Sequence, residues 1–133
     1  MRNEQIAMKT RENVVLQKSV DFAIRIVNLY KFLTENKKEF VISKQILRSG
    51  TSIGANLSEA ECAMTKNDFL AKSYIAYKEC SETKYWLTLL KETEFIDTKS
   101  YNSISKDCGE ILKLLATITK STEKNLLENK KKK

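Results

Sequence analysis

The residue types that carry most enzyme chemistry are nearly missing from this chain. Histidine is absent from all 133 residues. Its absence removes the commonest general base, the usual activator of a serine or cysteine nucleophile, and most zinc and di-iron site designs. The three cysteines, Cys62, Cys80 and Cys108, are widely separated and form no CxxC pair, so they read as reduced core thiols. Carboxylates at Glu59, Glu79 and Glu82 could pair for acid–base work, but inter-helix hydrogen bonding accounts for them more simply. No catalytic, metal-ligating or cofactor-binding residue is assigned, and the chain is expected to be a non-enzyme with no cofactor.

Two other patterns remain. The first is cationic. Lys99, Lys106, Lys113 and Lys120 recur every seven residues, and so do Arg11, Lys18 and Arg25. The net charge is +7, and the excess is uneven. Residues 1–38 hold eight basic and four acidic residues, residues 97–133 hold nine and five, and the middle holds seven and eight. Two basic stripes on adjacent helices would make the electrostatic footprint of a phosphate-backbone binder. No aromatic residues interleave them, so base stacking on single strands is expected to be weak. A charged outer face is also normal for a helical bundle, so the charge alone leaves a protein-interaction scaffold open.

The second pattern is a polar row. Gln45, Ser49, Ser52, Asn56 and Glu59 follow the 4-3-4-3 spacing of a packing seam, yet every member is polar, and Arg48 lies beside them. Such a row is either solvated or faces a polar partner. Buried polar groups must be paired, since an orphan costs about 1–3 kcal/mol. A network to the next helix is therefore expected, with Arg48 bridging to Glu79 or Glu82. Gly50 and Gly54, with Ser58, make a small-xxx-small row that lets a neighbouring backbone approach. A loop at Ser49-Gly50-Thr51 is the competing reading.

The elements that must position these residues are helices. The chain has no proline and only three glycines, so long helices are permitted almost everywhere. The first is expected from about Asn13 to Leu33, with a seam of Val15, Ser19, Phe22, Ile26, Leu29 and Leu33 and a second apolar row of Leu16, Ala23, Val27 and Tyr30. The second runs from about Val41 to Cys62. The third follows Thr65, where Asp68 completes a capping-box-like start, and fades near Glu94. Its apolar members include Ile75, Ala76, Cys80, Trp86, Leu87 and Leu90, and Trp86 is expected in the core with Phe22. The fourth begins near Asp97-Thr98, with Tyr101, Ile104, Cys108, Ile111, Leu115 and Ile118 inward. Linkers of a few residues make consecutive helices antiparallel neighbours. The expected fold is all-α: an antiparallel up-down-up-down four-helix bundle over residues 13–124, with an N-terminal extension over 1–12 and a lysine-rich C-terminal tail over 125–133. No apolar run is long enough for a membrane span, and no export signal is visible, which points to the cytoplasm.

At the second and third helices the sequence resembles a known family. QILRSGTSIGANLSEAECA followed by NDFLAKSYIAYKECSETKYWLTLL is similar to the four-helix-bundle family of the 23S rRNA intervening sequence protein. The residues that carry the likeness are Gln45, Arg48, Ser49, Ser52, Ile53, Asn56 and Glu59, then Asp68, Phe69, Glu79, Glu82, Thr83, Trp86 and Leu87. The resemblance implies a bacterial protein, and it implies that these shared residues fix the second helix to the third. One branch, the accessory variability determinant of diversity-generating retroelements, looks like a basic ring of five bundles. That branch works with a reverse transcriptase and its template RNA. The resemblance adds no catalytic residues. Together with the small-residue row on the second helix it implies a homo-oligomer, a five-fold ring. The resulting expectation is a basic, non-catalytic oligomer that associates with nucleic acid, RNA above all, without reading sequence.

Overall fold

A computed structural model describes residues 2–131, all but the turns of which are helical. Helix α1 spans Arg2–Glu35, α2 Ile42–Glu61, α3 Lys66–Glu92 and α4 Thr98–Lys131. There is no strand among the described residues. Each helix packs on its sequence neighbours, α1 packs on α4, and the backbones of the diagonal pairs stay apart. This is the closed square of an antiparallel up-down-up-down bundle.

The outer two helices are longer than the apolar seams predict. The extension over 1–12 is helical from Arg2, and the tail over 125–133 is helical to Lys131; Met1, Lys132 and Lys133 lie outside the described residues. No proline or glycine interrupts either stretch. Extending an existing helix is easy where nucleating one is not, so α1 and α4 run past the core. Lys9–Glu12 and Lys124–Glu128, each at 3.9 Å, lie along these ends.

The turns follow local chemistry. Thr65 Oγ1 accepts from the Asp68 amide at 3.1 Å and caps α3. Asp97 caps α4, accepting from the Ser100 amide at 2.7 Å, and that hydrogen bond holds its carboxyl below the usual range. Helix α2 has no side-chain cap at Val41. The Glu39 carboxylate supplies one from outside, accepting from the amides of Val41 at 3.1 Å and Ser43 at 2.7 Å. Burial acts to raise the Glu39 pKa, and the backbone donors outweigh it and hold it low. Lys38 and Glu94 take the left-handed conformation, with φ of 54° and 66°.

The core is built from the predicted seams. Val15, Phe22, Ile26 and Leu33 of α1 meet Ile46, Ile53 and Leu57 of α2, Ala76, Leu87 and Leu90 of α3, and Ile104, Ile111, Leu115 and Ile118 of α4. Each large aliphatic side chain removed from water contributes about 1.5–3 kcal/mol. Three expectations are corrected. Ile75 points outward, and Trp86 is half-buried at the rim, where its indole N–H donates to Glu82 at 3.0 Å. An indole buried fully would have needed that partner inside the core. Val27, read as widening the core face of α1, lies on its outer side.

Candidate nucleic-acid interface

The two basic repeats have different fates. Lys99, Lys106, Lys113 and Lys120 all stand exposed on α4, on the side away from Ile104, Cys108, Ile111 and Leu115. Their seven-residue spacing corresponds to about 10 Å per step along the axis. None of the four forms an ion pair among the described residues. Nearby, Gly109 leaves open space where a side chain would otherwise stand. The result is a single-sign row along most of a 34-residue helix.

The repeat on α1 does not form a second open stripe. Lys18 pairs with Glu110 at 3.1 Å. Arg25 pairs with Asp107 at 2.6 Å and also donates to the Ser103 hydroxyl at 2.9 Å. Arg11 is half-buried, and its Nε has no hydrogen-bond partner. Lys18 and Arg25 line the α1–α4 junction. The physical reason is position: a row next to the core seam must face the neighbouring helix, and cations there attract its carboxylates. Ser103, Asp107 and Glu110 sit at 4-3 spacing on α4, and that spacing was the signal in the sequence that could have revealed the pairing.

Of the polar row of α2, Ser49 and Glu59 reach α3, as does Arg48 beside them. Arg48 reaches both candidate carboxylates, with Nη1 at 3.0 Å from Glu79 and Nη2 against Glu82. Glu82 thus accepts from both Arg48 and Trp86. Below them Thr83 donates to Ser49 at 2.9 Å, both fully buried, and Lys72 meets Glu59 at 3.4 Å. Ser52 and Asn56 bond to carbonyls of their own helix, and Gln45 is exposed. The Arg48 side chain is 49% exposed, so the pair is a screened rim network. Its loss is worth about 1–2 kcal/mol, less than the 3–5 kcal/mol of a buried pair. The glycines face α1: a Cβ on Gly50 would stand 2.8 Å from both Cγ atoms of Ile26, and one on Gly54 would stand 3.1 Å from Ser19 Oγ. The small-residue row, expected to serve contact between copies, is therefore occupied inside the bundle.

The thiols follow the same division. Cys80 and Cys108 are buried and face each other across α3 and α4 with Sγ atoms 3.8 Å apart, while Cys62 is exposed. The Cys80 thiol donates its hydrogen bond to Cys108, and that bond together with burial pushes the Cys80 thiol far up, which keeps it unreactive. An open groove of about 760 Å³ lies at the end formed by the α1–α2 and α3–α4 turns, with Phe32, Lys37, Lys91 and Phe95 in its walls. Its cations are engaged: Lys37 lies over Phe32 and Lys91 over Tyr101. No group of three potential metal ligands occurs among the described residues. No helix there is long and apolar enough to cross a membrane.

Fold and surface together define an antiparallel four-helix bundle with an exposed row of lysines along α4. The chain belongs to the family of 23S rRNA-intervening sequence proteins, whose model matches residues 11–117. It is also similar to a solved crystal structure of a protein of unknown function from the S23 ribosomal protein family of Bacteroides thetaiotaomicron VPI-5482. The two are 60% identical over 83% of this chain and 98% of that one, with a TM-score of 0.81. None of the curated proteins matches the chain.

Proposed function

We propose that this protein is a non-catalytic, homo-oligomeric bundle of the cytoplasm that associates with nucleic acid, RNA in particular, through the outer face of α4. The observation that carries this reading is the exposed, unpaired row of Lys99, Lys106, Lys113 and Lys120. Lysine offers a point charge more than a base-specific fork, so such a row tracks phosphates without reading sequence. Lys18 and Arg25, engaged by Glu110 and Asp107, and Arg11, half-buried, contribute at most a background potential. Five copies in a ring would multiply the rows, and weak contacts per copy would sum to useful avidity.

The test is a binding titration with structured RNA at two salt concentrations. Wild type is compared with a variant carrying Lys106→Glu, Lys113→Glu and Lys120→Glu. Affinity is expected to fall steeply with salt, each phosphate contact adding about −0.7 to the log–log slope on a single strand and about −0.9 on duplex DNA. The triple variant is expected to lose most of the binding. Wild type that binds no nucleic acid at low salt would favour the second reading, a protein-interaction scaffold with incidental charge. That reading draws on the exposed apolar residues of α1.

A further inference from the structure

The lysine row of α4 holds no aromatic residue, but the helix beside it does. Four of the chain's five tyrosines stand on α3 or against it: Tyr74, Tyr77 and Tyr85 on α3, and Tyr101 on α4. Tyr101 meets α3 at Thr88, hydroxyl to hydroxyl at 3.4 Å, and the Lys91 ammonium lies over its ring at 4.9 Å. Tyr74 is 51% exposed and Tyr85 60%. Both rings are braced by a second one. Tyr74 stacks on Tyr77 with centroids 6.1 Å apart and planes within 20°, and Tyr85 meets Trp86 edge-on at 4.9 Å. A braced ring has little freedom left to lose when another flat ring settles on it.

Lysines are set among these rings. Lys78 lies over Tyr74 at 5.6 Å. Hydrogen bonds with Thr88 and Ser105, helped by the charges of Lys91 and Lys84, hold the Tyr101 hydroxyl below its ordinary pKa. The carboxylates of both helices are turned elsewhere. Between Phe69 and Lys91, α3 has only Glu79 and Glu82, and both are held by Arg48 of α2. Glu92, just past that stretch, approaches Lys91 to 3.9 Å. Between Thr98 and Thr122, α4 has only Asp107 and Glu110, and both are held by α1. Along these lengths the side that α3 and α4 share carries rings and ammonium groups and no carboxylate. The exposed lysine row of α4 continues the positive charge on the adjoining helix.

We infer that the α3–α4 side is a platform for single-stranded RNA, where bases stack on the exposed tyrosines and the backbone runs over the lysines. The inference rests on the nucleic-acid half of the proposed function and names the form of RNA. The chemistry selects it. A single strand alternates an anionic phosphate with a flat ring, and this surface alternates ammonium groups with flat rings. A duplex closes its base faces inside its own stack, so the tyrosines offer it nothing. An acidic protein would be drawn by the lysines, but its charge does not call for rings between them. Stacking is tolerant of sequence, since every base has a π-face, so the platform adds affinity without adding readout. Tyr74 and Tyr85 stand about 16 Å apart along α3, which lets two bases of one strand be held at once.

The experiment measures binding by fluorescence anisotropy at low salt with three probes. They are an unstructured RNA strand, the same strand annealed to its complement, and an abasic strand with the same phosphates and no bases. Wild type is compared with Tyr74→Ala/Tyr85→Ala and with Tyr74→Phe/Tyr85→Phe, which keeps the rings. Wild type is expected to bind the intact strand about tenfold tighter than the abasic one. The alanine pair is expected to lose that advantage and to bind the duplex and the abasic strand within about twofold of wild type. The phenylalanine pair is expected to match wild type. Trp86, the chain's single tryptophan, lies against Tyr85 and gives a readout that needs no substitution. The intact strand is expected to quench its emission and the abasic strand to leave it unchanged. Equal wild-type affinity for the intact and abasic strands overturns the platform and leaves the lysine row standing. So does an alanine pair that binds the intact strand like wild type, or one that weakens equally on all three probes. A wild type that binds none of the probes overturns the proposed function as well. Loss of helical circular dichroism in both variants would make the rings supports of the fold, which also overturns the inference.

Discussion

Gly50 and Gly109 sit in helix interiors, where each lowers helix stability by about 1 kcal/mol relative to alanine. Their surroundings differ. A methyl at Gly50 would collide with Ile26, a branched side chain that is fully buried and stiff about its first torsion. A methyl at Gly109 meets nothing within 4 Å. Overpacking of this kind costs about 1–3 kcal/mol, so Gly50→Ala is expected to destabilise by about 1–2 kcal/mol despite the gain in propensity. Gly109→Ala is expected to stabilise by about 1 kcal/mol. Urea denaturation of the two variants reads both signs, and the same sign for both would refute the account. The sequence showed that Gly50 and Gly54 invite a close neighbour. It did not show that the neighbour is α1, because small residues announce proximity and not identity. The opposite holds for Arg48, whose partners on α3 could be named from charge and spacing alone, while its half-exposure could not.

At the scale of elements, the caps make the bundle sensitive to acid. Glu39 closes α2 by accepting from two backbone amides, and its carboxyl is held below its ordinary value of 4.5. A group whose folded pKa is depressed stabilises fully above its unfolded pKa, and that contribution disappears as pH falls through the folded one. Stability should therefore hold from neutral pH to about 5 and decline below the ordinary carboxylate range. Glu39→Gln is expected to lower stability at pH 7 by about 1 kcal/mol and to flatten the acid limb of the melting profile. An unchanged acid limb would show that Glu39 does not carry it. The seams and the caps at Thr65 and Asp97 were legible because each depends on nearby sequence. The cap at Glu39 was not, since it acts across a turn whose Lys38 adopts a conformation the sequence does not advertise. The second apolar row of α1 was visible too, but whether its members faced the core or the solvent depended on the angle at which α2 packs.

Across the whole molecule, charge and apolar surface are sorted onto different faces. The lysine row lies on α4, the uncharged seam on α1, and the ion pairs of Lys18 and Arg25 between them. Such sorting keeps the lysine row clear of the apolar residues exposed on α1. Periodicity displays each stripe separately. Their mutual arrangement appears only once α1 and α4 are known to be neighbours and their shared edge is known to be closed by carboxylates.

The length of α1 and α4 has a consequence in time as well as in space. Helix α2 ends at Glu61, near the level of Glu12, and the two long helices continue past it. Out there Ile6 is 59% exposed and Leu127 54%, so neither side chain is covered by the bundle. These turns persist through local hydrogen bonding, and each can open without disturbing the centre. Amide hydrogen exchange should therefore show a gradient. Protection is expected to be lowest before Met8 and after Lys124, to climb along both helices, and to reach its maximum around Phe22, Ile26, Cys108 and Ile111. Uniform protection along α1 would mean that something else holds its beginning in place.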